Sequence, residues 1–139
     1  MADTGYEFFE HTADVGLRAF GSTLTDVMIH AAHGVVALLT DDSPVAVLEE
    51  RPIALQADSR ERLLMAWLQE IVVWCQTEHF LPAAYEIAVT ETTLQGRVRG
   101  ERFDSARHAF GTEVKGVTYH QLSIRQTASG LEARVILDV

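Results

Sequence analysis

Cysteine, positive charge and long apolar runs are what this chain has least of, and each shortage removes a class of protein. Cys75 is the single cysteine, so no internal disulfide can brace the fold. It stands within an apolar helical run, where it reads as a small buried thiol. Lysines and arginines number 11 against 20 aspartates and glutamates, for a net charge of -9. That balance argues against a domain that grips nucleic acid by itself, because neutralising phosphates requires a basic surface. An acidic chain is better suited to dock on a basic protein or to bind cations. No apolar run approaches the length of a membrane span, and the N-terminus lacks a basic region followed by an apolar core. No membrane association is therefore expected, and the expected location is cytoplasmic. Phosphate-binding loop, dinucleotide glycine pattern, paired cysteines and nucleophile elbow are all missing. A self-sufficient enzyme is the weaker of the broad classes, and no catalytic residue is assigned.

What is present suits one α+β domain over residues 1–139, with 47% apolar residues to build a core. Tyr6 to Glu10 reads as a first strand. Val15, Leu17 and Ala19 alternate with Gly16 and Arg18 as a second, joined through Thr12-Ala13-Asp14. Ser22 or Thr23 caps a helix whose apolar face runs from Leu24 to Leu38, stopped by the solvated turn Asp41-Asp42-Ser43-Pro44. On its flank His30 and His33 lie three apart, without a third nearby ligand to make a zinc site. A strand from Pro52 to Ala57 precedes a second helix, Ser59 to about Glu78, with Asp58 and Glu61 spaced as a cap. Its apolar residues cover more than one stripe. It is expected either to be sandwiched in the core or to meet a partner through Trp74.

From Tyr85 the period becomes two. A hairpin turns at Glu91-Thr92-Thr93, an irregular loop spans Gly100 to Gly111, and a last pair of strands covers Val117–Gln126 and Leu131–Val139. The expected architecture is a largely antiparallel sheet with two helices packed on one face. Parity puts Leu131, Ala133, Val135 and Leu137 on the core face and Asp138 on the other. In the preceding strand it assigns Lys115 and Tyr119 to the polar side and His120 to the core, and a bulge at Gly116 would reverse part of this.

Two places could carry chemistry together. Glu10-His11-Thr12-Ala13-Asp14-Val15-Gly16 sets an imidazole, a hydroxyl and a carboxylate between two strands, and Asp138-Val139 offers a second carboxylate with a main-chain oxygen beyond it. Taken alone, Asp14 is an ordinary turn aspartate and His11 an ordinary packed ring. If they meet, Asp14, Asp138 and Val139 make an all-oxygen anionic site that favours Ca²⁺, Mg²⁺ or Mn²⁺ over zinc. Lys115 beside Gly116 could contact a phosphate or carboxylate, or simply pair with Glu113 or Glu101. Arg97, Arg99, Arg102, Arg107 and Lys115 form at most a weak RNA-facing edge among their acidic neighbours.

Three ordered motifs also resemble the archease family: Glu10 to Gly16 followed by Gly21, Gly111 to His120, and Val135 to Val139. The resemblance covers essentially the whole chain, although the family pattern often has Ala where this chain has Gly116. It implies a non-catalytic activator of an RtcB-type RNA ligase in tRNA splicing and RNA repair. Such an activator promotes GTP-dependent guanylylation of the ligase and its repeated turnover. Carried over by motif, Asp14, Asp138 and Val139 would be calcium-type ligands and Lys115 a residue needed for activation, with His11, Tyr119 and His120 in the same motifs. Two other functions compete: a chaperone of tRNA-modifying enzymes such as a tRNA methyltransferase, and a stand-alone metal-dependent hydrolase. The oligomeric state is left open.

Overall fold

The structure is a computed structural model that describes residues 5–11 and 14–139, and of His11 the backbone alone. In chain order the elements are β1 (Gly5–His11), β2 (Asp14–Gly21), α1 (Leu24–Thr40), β3 (Glu49–Gln56) and α2 (Arg60–Gln76). Then follow β4 (Phe80–Val89), β5 (Thr93–Arg102), β6 (Gly116–Thr127) and β7 (Gly130–Asp138). The α+β class and the two helices are as expected. The strands divide between two antiparallel sheets, ordered β1-β2-β7-β6 and β3-β5-β4.

Both helices begin where a hydroxyl can satisfy the open first turn. The Thr23 hydroxyl accepts from the Asp26 N–H at 3.1 Å, and that of Ser59 from the Arg62 N–H at 3.2 Å. The cap of α2 is therefore Ser59, one residue after the Asp58 expected from the sequence. The pair α1 and α2 forms a middle layer, since α1 touches β1, β2, β7 and β4 while α2 touches β6 as well as β3, β4 and β5. This explains why α2 is apolar around most of its circumference: Leu63, Leu64, Trp67, Leu68, Ile71, Val72, Trp74 and Cys75 are all buried. Trp74 packs edge-on against Phe80 with ring centroids 5.6 Å apart, so its role is core packing and not partner contact. The indole of Trp67 donates to the Met28 carbonyl at 2.8 Å, tying α2 to α1 at the centre of the core.

Three boundaries move for physical reasons. Strand β3 starts at Glu49 and contains Pro52, which an edge strand tolerates because one side of it needs no ladder donors. β4 starts at Phe80, before Pro82, and the register shifts between Pro82 and Ala84. β5 runs on to Arg102, so the irregular segment is 103–115.

The largest correction concerns β6. Gly116 is in register with Asp138, but the pairing shifts between Thr118 and Ser123: β6 advances five residues while β7 advances two. Tyr119 to Leu122 thus form a wide bulge, with Gln121 at a left-handed φ of 56°. Parity fails across it, and His120 is exposed rather than in the core. Tyr119 is exposed, as expected, at 59%.

Candidate functional site

The register brings the two ends of the sequence together. Val15 pairs with Leu137 and Gly16 with Ile136, so one step further the strands place Asp14 beside Asp138. On either side, His11 is in register with Asp14 and Gly116 with Asp138. Residues opposite each other in an antiparallel pair project from the same face. Asp14 and Asp138 therefore share the face directed away from the helices, while their neighbours Leu17, Val135 and Leu137 fill the core. Asp138 is exposed and Asp14 partly so. The side chain of Val139 packs against the core, which fixes the strand end that carries Asp138.

Lys115 reaches this edge through its backbone: its N–H donates to the Asp138 carbonyl at 2.7 Å, while the residue itself is exposed. The segment is held from its other side by α2. Gln76 accepts from the Val114 N–H at 2.7 Å and donates to the Val114 carbonyl at 2.8 Å, so one amide side chain substitutes for a neighbouring strand. Two turns earlier on the same helix, Gln69 accepts from the Val117 N–H at 3.3 Å. Val114 is itself buried. Lys115 therefore sits on a rigid strip between β7 and two glutamines.

The loop leading to that strip is organised by Glu101. Its buried carboxylate accepts from the Ala46 N–H at 2.6 Å, from both terminal nitrogens of Arg107, and from His108 Nε2 at 3.0 Å. The Asp104 N–H donates to His108 Nδ1 at 2.9 Å, so the ring proton lies on Nε2, where it can donate to Glu101. The Arg107 guanidinium, with help from the Ala46 N–H and His108, holds the Glu101 carboxyl at about 2. Glu101 is thus not a partner for Lys115. Two of the other candidate arginines, Arg97 and Arg99, are also paired, with Glu50 across β5 and β3. That matches the solvated face of a hairpin better than an RNA-binding edge.

His11 joins the site by backbone register alone, and its side chain and the Thr12-Ala13 connection lie outside the described residues. Tyr119 and His120 are carried on the bulge of β6 a few residues from Gly116; Tyr119 lies against Arg62, with the guanidinium carbon 5.3 Å from the ring centre. His30 and His33 are separate from all this. His30 Nδ1 is 2.6 Å from the Phe20 carbonyl and 3.2 Å from the Gly5 nitrogen, while His33 lies against Tyr85 with centroids 5.1 Å apart. Among the described residues no cluster of three or more His, Cys, Asp or Glu side chains could hold a metal.

The acidic edge nevertheless has the chemistry of a hard-cation site completed by main-chain oxygen. Two like charges facing each other across strands destabilise a sheet unless something positive lies between them. Carboxylate and carbonyl oxygens suit Ca²⁺, Mg²⁺ or Mn²⁺. Gly116, next in the row, leaves open space, since a Cβ there would meet nothing within 4 Å. The donor set Asp14, Asp138 and Val139 fits such an ion.

The sequence profile of the Archease protein family matches residues 6–139. This chain belongs to the archease family. The archease of Saccharolobus islandicus is 38% identical over 136 residues, covering 96% of this chain and 98% of that protein. The solution structure of Methanobacterium thermoautotrophicum protein 1598 superimposes with a TM-score of 0.83 at 34% identity, over 97% of this chain and 99% of that one. A Thermotoga maritima protein described as an archease and possible chaperone shares the fold, with a TM-score of 0.63 at 20% identity over 94% of each chain. The archease motifs read from the sequence include the residues of the acidic edge and Lys115, but they do not include Gln76. Its polar side chain near the end of an apolar helix gave no signal beyond that of a solvated residue.

Proposed function

We propose that this archease-family protein is an accessory activator of an RtcB-type RNA ligase in tRNA splicing and RNA repair. In this reading it promotes GTP-dependent guanylylation and repeated turnover of the ligase. The observation that carries the reading is the strand register that sets Asp14 beside Asp138, with the backbone of Lys115 bonded to Asp138 at the same edge. An anionic pair next to an exposed lysine, in a family member without a nucleophile of its own, suits a surface that completes another protein's site.

Asp14, Asp138 and a main-chain oxygen of Val139 would hold a divalent cation, most naturally Ca²⁺. Bound there, the ion supplies positive charge that can face phosphate oxygens. Asp14 and Asp138 orient the docking edge, Lys115 offers a point charge to an anion on the partner, and the β6 bulge presents Tyr119 and His120 a few residues further along the same strand. The protein acts as a cofactor protein and not as an enzyme, with the ligase supplying nucleotide and RNA chemistry.

The test is ligase guanylylation by GTP with purified parent, Asp14→Ala, Asp138→Ala and Lys115→Ala proteins, each checked for folding. All three variants are expected to lose stimulation. Parent-level stimulation by all three would remove the proposed site. A chaperone role for tRNA-modifying enzymes is the second reading, favoured by the description of the Thermotoga relative. It predicts protection of a methyltransferase from aggregation that is indifferent to the acidic pair. Phosphoester turnover without any ligase would instead indicate a stand-alone hydrolase.

A further inference from the structure

The end of the molecule that carries the acidic edge has a second feature, which the proposed activation does not use. Where α1 stops, Tyr6 and Phe8 of β1 and Phe110 of the 103–115 segment border a groove of about 530 Å³, shared with Leu38, Asp41 and Asp42. The three rings are 36%, 42% and 76% exposed. Tyr6 meets Phe8 edge to face at 5.6 Å and Phe110 stacks on Phe103 at 4.3 Å, so the rings are held in place with faces and edges open to solvent. A cluster of fixed, exposed aromatics marks a contact surface rather than a scatter of single apolar residues.

The charge around the groove defines what it accepts. Asp41 and Asp42 stand at the C-terminus of α1, both in the left-handed region at φ of 52° and 58°. Their N–H groups point back at the Ala37 carbonyl, and the last turn of the helix contains no basic residue. The helix C-terminus already carries partial negative charge, so two carboxylates there add to it instead of opposing it. The Tyr6 hydroxyl has its pKa raised by burial and by the nearby Asp42 charge.

We propose that this groove is a docking site for a cationic side chain, an arginine or lysine on an exposed segment of a basic partner protein. Aromatic faces attract such a cation through their quadrupole, arginine most of all, and the two carboxylates supply the counter-charge. An apolar peptide would leave the carboxylates unused. A second copy of this chain would bring its own net charge of -9 to an acidic surface. The Gly111 N–H is bonded to the Leu39 carbonyl at one end of the strip and the Lys115 N–H to Asp138 at the other. Four residues of chain span at most about 14 Å, so the strip links the groove on the helix side to the acidic edge within that distance.

The test uses a fluorescein-labelled peptide of alternating glycine and arginine, with citrulline in place of arginine as the uncharged control, read by anisotropy against the full chain. The expected result is binding to the parent that weakens about tenfold or more in Asp41→Asn/Asp42→Asn, in Phe110→Ala, and with the citrulline peptide. Glu86→Gln/Glu91→Gln, which removes the same charge from the β4–β5 hairpin, is expected to leave binding unchanged. Phe110 is exposed, so its truncation leaves the core intact, and a thermal melt confirms this. Equal losses in both double variants would reduce the effect to net charge and overturn the proposal. So would unchanged binding in Phe110→Ala, no binding to the parent, or a dimer that dissociates when the groove is mutated. The assay contains no ligase, so its failure leaves the reading of the acidic edge standing, and the reverse also holds.

Discussion

Gln76→Ala is the perturbation that most directly tests how the Lys115 segment is held. The side-chain amide makes two hydrogen bonds, at 2.7 and 2.8 Å, to the two backbone groups of one buried residue, Val114. Each bond contributes about 1 kcal/mol net, and a buried backbone group left without a partner costs about 1–3 kcal/mol. Water reaches part of this strip, so the expected loss is roughly 2 kcal/mol, against a total of about 5–15 kcal/mol for a domain of this kind. The variant should therefore remain folded. With a urea slope of about 2 kcal/mol/M, its unfolding midpoint should fall by about 1 M. Amide exchange should accelerate selectively at Val114, and Gln76→Glu should keep protection of the Val114 N–H while setting an oxygen against its carbonyl. An unchanged midpoint together with unchanged Val114 exchange would refute the clamp.

Two further outcomes follow from the titrating groups. Glu101 is lowered from 4.5 to about 2, mainly by Arg107, so the stability it contributes is complete above its unfolded value and fades as the pH falls toward 2. Amide protection across residues 103–112 should follow that loss in the parent, and Glu101→Gln should be weakly protected at every pH; a parent whose loop shows no acid sensitivity would contradict the assignment. Burial pushes the Cys75 thiol up to about 12, so an aromatic disulfide reagent near pH 8 should leave it untouched until the protein unfolds. Rapid modification of the native chain would show that the cavity of about 210 Å³ beside it opens readily.

The features legible in the sequence are those fixed by local period. Leu17 with Ala19, and Ala133 with Val135 and Leu137, alternate as half-buried strands must, and the same parity sends Asp138 to the outer face. That is why the acidic edge could be expected from two separated motifs. What escaped depends on contacts between distant segments. The bulge of β6 rests on Gln121 in a left-handed conformation, at a residue type that gives no turn signal, so the parity of His120 came out reversed. Gln76 looks like any polar residue at a helix end until a backbone segment 38 positions away is laid against it. Asp41 and Asp42 read as solvated turn residues because the rings of Tyr6, Phe8 and Phe110 come to them from both sides in sequence. Pro52 and Pro82 hid the starts of β3 and β4, since proline marks a break unless the strand is known to lie at an edge.

The pairing of β2 with β7 joins Val15 to Leu137 across more than a hundred intervening residues. Such a closure costs more entropy than the sequence-local β1–β2 and β6–β7 hairpins that it joins, so this pairing should form late in folding. The acidic edge is complete only once that pairing has formed, because its two carboxylates stand on the two strands. Whatever molecule reads it therefore encounters finished copies alone, and a cation bound there would report on maturation as well as on function.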